Sequence, residues 1–345
     1  IGKPVKLMWT RNDDMRHGRV RPRSHHQLRA VHAAGEVLTY EHRMSCVELD
    51  LGSGTGQALV DAGYVSPTIG TAFFTLSQAC PYNFGIVTES LNEVSYNMPT
   101  ATWRSVYSAQ ARTAEEILVD EIAKAIGADA VAMRRTFLKT AEARAVLDKV
   151  ATEGNWGRAM SSGTGQGVAL HGEYRSIAAC LVEIDCRGAK PRVTKAVMAL
   201  DVGRQVNPSG LRAQAMGSLM DGISTVLLAG NHLDDGAFRE GSYSDFKYAR
   251  QADAPLTCDV HLVGGTGEPG GVGELSVPAT AGAVANAVVE FEPVRMVVVP
   301  DDQAVAKRYL HRDVELIPAA LDDAWMRDIG PTFVIGDDGR LGAVD

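Results

Sequence analysis

The stretch GEPGGVGELSVPATAGAVANAVVEFEPVRMVVVPDDQ, residues 267–303, joins a glycine-rich loop, a small-residue helix and an apolar strand. One carboxylate, Glu274, lies just before the N-terminus of the helix, and Pro278 lies where the helix could begin. Glycines allow close backbone approach, and a helix N-terminus favours an ionised carboxylate. The pattern predicts a loop that presents Glu274 as a general base; a flexible loop with its glutamate in water is the alternative. Four glycines precede the carboxylate: Gly267, Gly270, Gly271 and Gly273.

Length and charge limit the classes of protein that the chain can represent. Its 345 residues have room for a substantial core and more than one domain. A net charge of -8 argues against a general nucleic-acid binder, which needs a surplus of Lys and Arg. Residues 292–345 hold six basic and eleven acidic side chains. This concentration of the acidic excess predicts a domain boundary near residue 290.

The five cysteines form no C-x-x-C pair and no zinc-spaced cluster, so the sequence indicates neither a disulfide framework nor a protein-ligated metal. No apolar run approaches the ~20 residues of a membrane span, so none is predicted. The chain opens on Ile1, and residues 4–10 have the pattern of a strand already in progress. We therefore expect a truncated start and leave the localisation open.

Strand and helix patterns follow one another along the chain and indicate an α+β protein with mixed sheets. Residues 36–46 have a strand pattern, and residues 256–264 alternate apolar and polar side chains. A helix is predicted to end at Gly127, and Asp129 is suited to cap the next one. A further helix is predicted from Pro208, which is favoured at a helix start. The Asp-Gly turn after residue 335 predicts a hairpin.

The stretch CVELDLGSGTGQALVDAG, residues 46–63, has the form of a nucleotide or S-adenosylmethionine loop. Such a unit needs a second strand ending in an acid that binds the ribose, yet no Asp or Glu lies between Asp61 and Glu89. A glycine-rich surface turn is the favoured interpretation. A methyltransferase is accordingly set aside.

Two other stretches carry candidate binding residues. Arg11 is predicted to end the first strand, where site residues often lie, beside a basic run that we interpret as a solvated connection. The stretch TATWRSVYSAQ, residues 100–110, brings Arg104 and Gln110 to a helix start that suits a phosphate-bearing ligand. A loop arginine paired with a nearby carboxylate is the alternative.

Taken together, four stretches resemble the molybdenum hydroxylases of the xanthine dehydrogenase and aldehyde oxidase family, and above all the isoquinoline 1-oxidoreductase type of large subunit. The resemblance covers residues 1–288 and implies a molybdopterin-binding domain of α+β fold. The matching stretches are KLMWTRNDDM, TATWRSVYSAQ, ACLVEIDC with VMALDVGRQVNPSGLRAQAMGSLMDGIS, and GGVGELSVPATAGAVANA.

The resemblance implies hydroxylation of an N-heterocycle or an aldehyde with oxygen from water. The reaction would take place at a molybdenum atom that is bound by a pterin and not by protein side chains. Glu274 matches the glutamate that takes a proton from the attacking hydroxyl. Arg11 matches a substrate-orienting arginine. Arg104 and Gln214 match cofactor contacts, with Gly273 beside them. Electrons leave the family's enzymes through an iron–sulfur subunit or domain, which is therefore an implied partner.

The chain also departs from the family pattern. The cofactor-gripping G-G-G-F-G and M-G-Q-G loops are not clearly present, and residues 53–58 and 162–167 offer only a weak similarity to them. We therefore expect the C-terminal part of a large subunit, which needs its N-terminal half as a second partner. The isolated chain is expected to be inactive and to retain little cofactor. A non-catalytic interaction fragment is an alternative.

Residues 289–345 resemble the opening region of an agmatine deiminase, of the Porphyromonas-type arginine deiminase superfamily. The resemblance lies in the W-x-R-D-x-G-P core and implies that Asp328 binds a guanidinium, for which a carboxylate is the natural partner, with Trp325 beside it. A truncated deiminase is thus another alternative. The family's catalytic cysteine comes later, however, and this sequence has no cysteine after Cys258. We predict a junction of two proteins near residues 286–291, which leaves a small α/β lobe at the C-terminus.

Overall fold

The computed structural model describes residues 2–49, 71, 74–75, 79–96, 98–188 and 190–289, and after these 295–298, 304, 307, 315–318, 333–335 and 341–343. Its helices are α1 (Arg11–His17), α2 (Ser108–Ile126), α3 (Ala130–Phe137), α4 (Ala141–Gly154), α5 (Pro208–Leu227) and α6 (Ser276–Val289). The fold is a mixed α+β arrangement in which helices pack on open sheets, as the sequence predicts.

The helix ends follow the local signals in the sequence. Gly127 closes α2 in the left-handed conformation, with φ of 70°. The Asp129 carboxylate accepts hydrogen bonds from two backbone N–H groups at the start of α3. Asn207 caps α5, and Pro208 takes the first helical position, where its missing N–H costs nothing.

The first sheet contains β1 (Ser24–Ala33), β2 (Glu36–Val47) and β3 (Ile86–Val94) in that order. β1 pairs antiparallel with β2, and β2 pairs parallel with β3. More and less exposed residues alternate along β1 and β3, as they do in a sheet that covers the core with one face. The covered face contributes Val37 and Tyr40 to a core that it shares with α2, α3 and α4.

The second sheet contains β4 (Thr164–Glu173), β5 (Ser176–Asp185), β6 (Arg192–Asp201) and, beyond the short pair β7 (Leu233–Asp234) and β8 (Ala237–Phe238), β9 (Thr257–Val263). β4, β5 and β6 form an antiparallel meander, and β9 pairs parallel with β6. β5 is buried along nearly its whole length because helices cover both faces of this sheet.

Helix α6 lies at the centre of the fold and is buried on every side from Ser276 to Val288. A helix that is apolar all round belongs in the interior. Its close packing depends on glycines in its neighbours. A Cβ atom on Gly167 of β4 would lie 2.2 Å from the Ala283 carbonyl oxygen, and one on Gly222 of α5 would lie 2.6 Å from Thr280. The small residues of α6 and the glycines of its neighbours therefore allow close helix–sheet and helix–helix contact.

A buried ion network joins α2 to α3, and a hydrogen bond from α6 reaches the same point of α2. Arg134 is fully buried, and its Nε donates to Glu116 Oε2 at 2.9 Å while a second nitrogen pairs with Asp120. Glu116 also accepts from the Tyr82 hydroxyl at 2.5 Å. Asn286 of α6 donates to the Glu116 carbonyl at 3.2 Å. These charges contact one another through the interior, so none is left alone in the low-dielectric core.

The described strands near the C-terminus include the apolar strand that the sequence predicts after the small-residue helix. β10 (Arg295–Val298) pairs parallel with β11 (Glu315–Pro318), and β12 (Phe333–Ile335) pairs antiparallel with β13 (Leu341–Ala343). The glycine-rich stretch at residues 53–58 falls outside the described residues.

Two expectations from the sequence are wrong. Residues 4–10 form no strand: Val5, Leu7 and Met8 are exposed, with no neighbouring strand among the described residues to pair with them. Arg11 therefore does not end a strand but begins helix α1, which Thr10 caps. Helix α6 also begins two residues before Pro278, which fits the first turn because an N–H is not needed there.

Candidate functional site

Both oxygens of the Glu274 carboxylate are held by hydrogen bonds at the mouth of α6. The Ser105 backbone N–H donates to Oε2 at 2.7 Å. The Tyr174 hydroxyl donates to Oε1 at 2.9 Å. Glu274 is half-buried, and its own carbonyl accepts from Val277 N–H at 3.0 Å as the helix begins. The loop therefore does not leave its glutamate free in water, and the carboxylate has a fixed orientation.

The Ser105 N–H comes from a strained turn. Ser105 has φ of 77° and Val106 has φ of 33°, a left-handed conformation that is a genuine outlier for a β-branched residue. Arg21 holds this turn by donating to the Val106 carbonyl at 3.1 Å and to the Arg104 carbonyl at 2.7 Å. Burial lowers the pKa of Arg21, and the carboxylates of Glu274 and Asp221 oppose that shift. Strain of this kind persists where surrounding contacts fix it.

Arg104 and Gln214 hold the loop immediately before Glu274. Arg104 Nε and Gln214 Nε2 each donate to the Gly273 carbonyl at 2.7 Å. The remaining Arg104 nitrogens donate to Asp221 Oδ2 at 2.6 Å and Ser218 Oγ at 2.7 Å. The three residues that the sequence grouped as cofactor contacts thus lie together. Arg104 and Gln214 bind protein atoms of the glutamate loop.

Asp221 and Tyr248 belong to the same cluster and were not found from the sequence. The Tyr248 hydroxyl donates to Asp221 Oδ1 at 2.7 Å, which leaves Oδ2 for Arg104. This hydrogen bond, together with burial, raises the pKa of Tyr248 to about 12. Asp221 lies on α5 one helical turn after Ser218, on the face that meets Arg104. That helical spacing was the available signal in the sequence.

The glycine loop packs against the β4–β5 turn. Gly271 N–H donates to the Tyr174 carbonyl at 3.0 Å. A Cβ atom on Gly271 would lie 2.9 Å from the Tyr174 Cβ, and one on Gly270 would lie 2.1 Å from Ser176 Oγ. These two glycines are therefore required by contact with the protein itself. Gly273 differs from them, because a Cβ atom there would meet no atom within 4 Å.

A cleft of about 300 Å³ lies beside the loop. Its walls come from the β6–α5 connection, the start of α5 and the glycine loop. The lining includes Arg204, Asn207, Gly210, Gln214 and Val272. Arg204 is exposed, so this wall carries one cation near the positive end of α5.

The remaining sequence candidates lie elsewhere. Arg11 is exposed, contacts Asp14 at 3.3 Å and lies over the Tyr243 ring at 5.0 Å. Gln110 donates to the Pro22 carbonyl at 3.2 Å. Trp325 and Asp328 are outside the described residues, so the guanidinium site stays a prediction.

Within the described ranges, no group of three or more His, Cys, Asp or Glu side chains is placed to hold a metal ion. Cys46, Cys80, Cys180 and Cys258 carry free thiols. None of the helices that can be described has the length and apolar character to cross a membrane.

Comparison with known proteins defines the class of this chain. Residues 85–255 match the molybdopterin cofactor-binding domain family, and residues 274–345 match the Porphyromonas-type peptidyl-arginine deiminase family. The chain is thus similar to a molybdopterin cofactor-binding domain and, further along, to a segment of the deiminase family. The resemblance that the sequence motifs indicated is confirmed for both parts.

Individual relatives agree with this class. The β subunit of isoquinoline 1-oxidoreductase from Brevundimonas diminuta is 27% identical over 303 residues, which cover 83% of this chain and 37% of that protein. One of the subunits of nicotinate dehydrogenase from Pseudomonas putida is 24% identical, and the match covers 86% of this chain and 26% of that protein. A provisionally named agmatine deiminase of Streptomyces coelicolor is 57% identical over 63 residues, 18% of this chain and 19% of that protein. The chain therefore spans well under half of each of these relatives.

Solved structures show the same fold. Aldehyde oxidoreductase from Desulfovibrio gigas superposes with a TM-score of 0.67 at 11% identity, over 84% of this chain and 49% of that one. Quinoline 2-oxidoreductase from Pseudomonas putida 86 gives a TM-score of 0.66 at 13% identity, over 82% of this chain and 61% of that one. The chain is homologous to molybdopterin-dependent oxidoreductases and has the fold of part of their large subunits.

Proposed function

We propose that residues 1–288 are part of the large subunit of a molybdopterin-dependent hydroxylase, in which Glu274 is the general base. The observation that carries this proposal is the fixed carboxylate: one N–H and one O–H hold its two oxygens at 2.7 and 2.9 Å, at the start of a buried helix. A carboxylate oriented in this way can accept a proton from a water-derived nucleophile. The substrate class is an N-heterocycle or an aldehyde.

The donor set beside Glu274 does not by itself form a cradle for the cofactor. The Arg104 nitrogens and the Gln214 amide are committed to Gly273, Asp221 and Ser218. What the loop offers is an open face at Gly273, next to the cleft that contains Arg204. These residues are suited to hold the Glu274 loop in place and to form one wall of a binding site. We therefore infer that other donors, outside this cluster, bind the cofactor.

Two partners follow from this proposal. The first is the remaining region of a large subunit, since the chain spans 37% of its isoquinoline-oxidising relative. The second is an iron–sulfur subunit that takes the electrons. Two relatives are named as subunits, which supports a multi-chain enzyme. Arg11 would orient substrate only if these partners bring substrate to the Tyr243 surface, because Arg11 is exposed here.

Metal and pterin analysis tests the need for the complementary region. Expressed alone, the chain should carry molybdenum and pterin far below one equivalent. Co-expressed with the matching region of a homologous large subunit, it should carry about one equivalent of each. Stoichiometric cofactor on the chain alone would contradict the inference that its donors do not form a cradle.

We further propose that two coding segments meet near residues 286–291, with residues 289–345 derived from a deiminase. Support comes from the deiminase match, which covers residues 274–345, and from the acidic excess after residue 292. The match begins at Glu274, so the Ala-rich helix is compatible with both families. A single long read of genomic DNA across these codons tests the junction. Two separate, complete genes at this locus would show that the joined chain is not encoded.

A further inference from the structure

The β4–β5 turn is built from residues that the turn does not favour. Glu173 pairs with Ser176, so Tyr174 and Arg175 form a two-residue hairpin turn. Tyr174 has φ of 52° and Arg175 has φ of 61°. This is the turn class in which Asn-Gly is preferred, because left-handed backbone is costly for residues with a larger side chain. Strain at both central positions calls for a reason outside the turn itself.

Contacts of the turn with the glutamate loop supply that reason. The loop approaches closely enough for Gly271 N–H to donate to the Tyr174 carbonyl at 3.0 Å, and Arg175 donates to the Pro269 carbonyl at 3.4 Å. Neither contact depends on the side chain at position 174, because the first uses the backbone carbonyl of that residue and the second uses the side chain of Arg175. The hydrogen bond from the Tyr174 hydroxyl to Glu274 Oε1, at 2.9 Å, is the contact that needs a tyrosine.

The turn is also anchored from the interior. Glu173, directly before Tyr174, is buried and accepts from His171 Nε2 at 3.0 Å and from Ser108 Oγ at 3.1 Å. Ser108 begins α2, three residues after Ser105, whose N–H donates to the other Glu274 oxygen. The two donors of the Glu274 carboxylate are thus joined to each other through Glu173 and the start of α2, and their separation is fixed.

We propose that Tyr174 is a positioning residue for Glu274: its hydroxyl fixes Oε1 and thereby aims the carboxylate, and the strained turn exists to present that hydroxyl. This inference rests on the proposed role of Glu274 as general base. Burial first, and then the carboxylates of Glu173 and Glu274, raise the pKa of Tyr174. A raised pKa keeps the hydroxyl protonated, as it must be to donate a hydrogen bond to the carboxylate.

The contact itself can be tested on the whole chain without any cofactor. Difluorotyrosine is placed at position 174, and its phenol is titrated by fluorine NMR with and without Glu274→Gln. We expect the pKa of the label to fall by roughly one unit in the Gln variant, because the phenolate no longer faces a negative charge. The same label at Tyr243, an exposed position, should titrate identically in both backgrounds. An unchanged pKa at position 174 would overturn the proposal.

Two variants separate positioning from stability. Tyr174→Phe keeps the ring beside Gly271 and removes the hydroxyl, so the loaded enzyme should lose about tenfold in kcat with an unchanged KM. Replacing Tyr174 and Arg175 together by Asn and Gly should raise the Tm while lowering kcat at least as far. Full activity of both variants, in an enzyme that Glu274→Gln inactivates, would refute the role of Tyr174 and leave that of Glu274 intact. If Glu274→Gln is itself active, the proposed function fails instead.

Discussion

The close contact of α6 with β4 predicts a specific sensitivity at Gly167. A Cβ atom at this position would lie 2.2 Å from the Ala283 carbonyl oxygen and 2.4 Å from the Ala287 nitrogen, whereas ordinary contacts begin near 3.4 Å. Both atoms belong to the helix backbone and cannot move as a flexible side chain does. Gly167→Ala must therefore displace α6 by about 1 Å, at a cost of roughly 1–3 kcal/mol or more.

Gly172 on the same strand is the matched control. A Cβ atom there would meet Ile177 Cδ1 and the Ser176 oxygen at 3.6 Å, which is ordinary contact. Gly172→Ala should be neutral or stabilise the fold by about 0.4–1 kcal/mol, because alanine restricts the unfolded chain. Urea denaturation followed by circular dichroism measures both variants. Equal stability of the two would refute the claim that α6 presses on the β4 backbone.

Three further predictions concern the interior and the loop clamp. Arg134→Met leaves Glu116 buried without its cation and should cost about 3–5 kcal/mol in denaturation, whereas Arg135→Met at an exposed pair should cost less than about 1 kcal/mol. The pKa of His26 is lowered from 6.5 to about 3 and that of His42 to about 4, mainly by burial. Below pH 6.5 the unfolded chain therefore binds protons that the folded chain does not bind. The free energy of unfolding should be highest above pH 6.5 and should fall below it by about 1.4 kcal/mol per pH unit for each histidine. A free energy of unfolding in urea that stays constant from pH 6.5 to pH 4 would contradict this. Arg104→Lys cannot donate to Gly273, Asp221 and Ser218 at once and should raise protease cleavage in the glycine loop about tenfold, with Arg212→Lys as the unaffected control.

The elements with local signals could be predicted from the sequence. Gly127, Asp129 and Pro208 act within one helical turn of their own positions, so their caps and starts follow from short-range chemistry. The placement of Glu274 at the mouth of a helix follows from the glycines before it and the small apolar residues after it. Both features lie in a single stretch, which is why the sequence was sufficient.

The partners of Glu274 could not be predicted because they come from distant parts of the chain. Ser105 is 169 positions away and Tyr174 is 100 positions away, and only the tertiary fold brings them together. The sequence also did not show what approaches the glycines of the loop: at Gly270 and Gly271 it is the β4–β5 hairpin turn. The prediction of a strand at residues 4–10 was wrong for a related reason. An alternating apolar pattern forms a stable strand only where another strand or a helix lies beside it.

The role of Arg104 shows a third limit. Its position beside a helix start suggested a ligand contact, but helix α5 supplies Asp221 and Ser218, and the loop supplies the Gly273 carbonyl. A guanidinium with several donors is as well suited to organise a loop as to bind an anion. The sequence shows the donors and does not show which acceptors reach them.

Turnover of the Glu274→Gln variant tests the central claim most directly. The variant is prepared in the enzyme loaded with molybdenum and pterin, and cofactor content is measured beside kcat. Glutamine keeps the size of the side chain and an oxygen for one hydrogen bond, but it cannot accept the proton. We predict that kcat falls at least about 100-fold at unchanged cofactor content. Turnover near that of the unaltered enzyme would contradict the assignment of Glu274 as the general base.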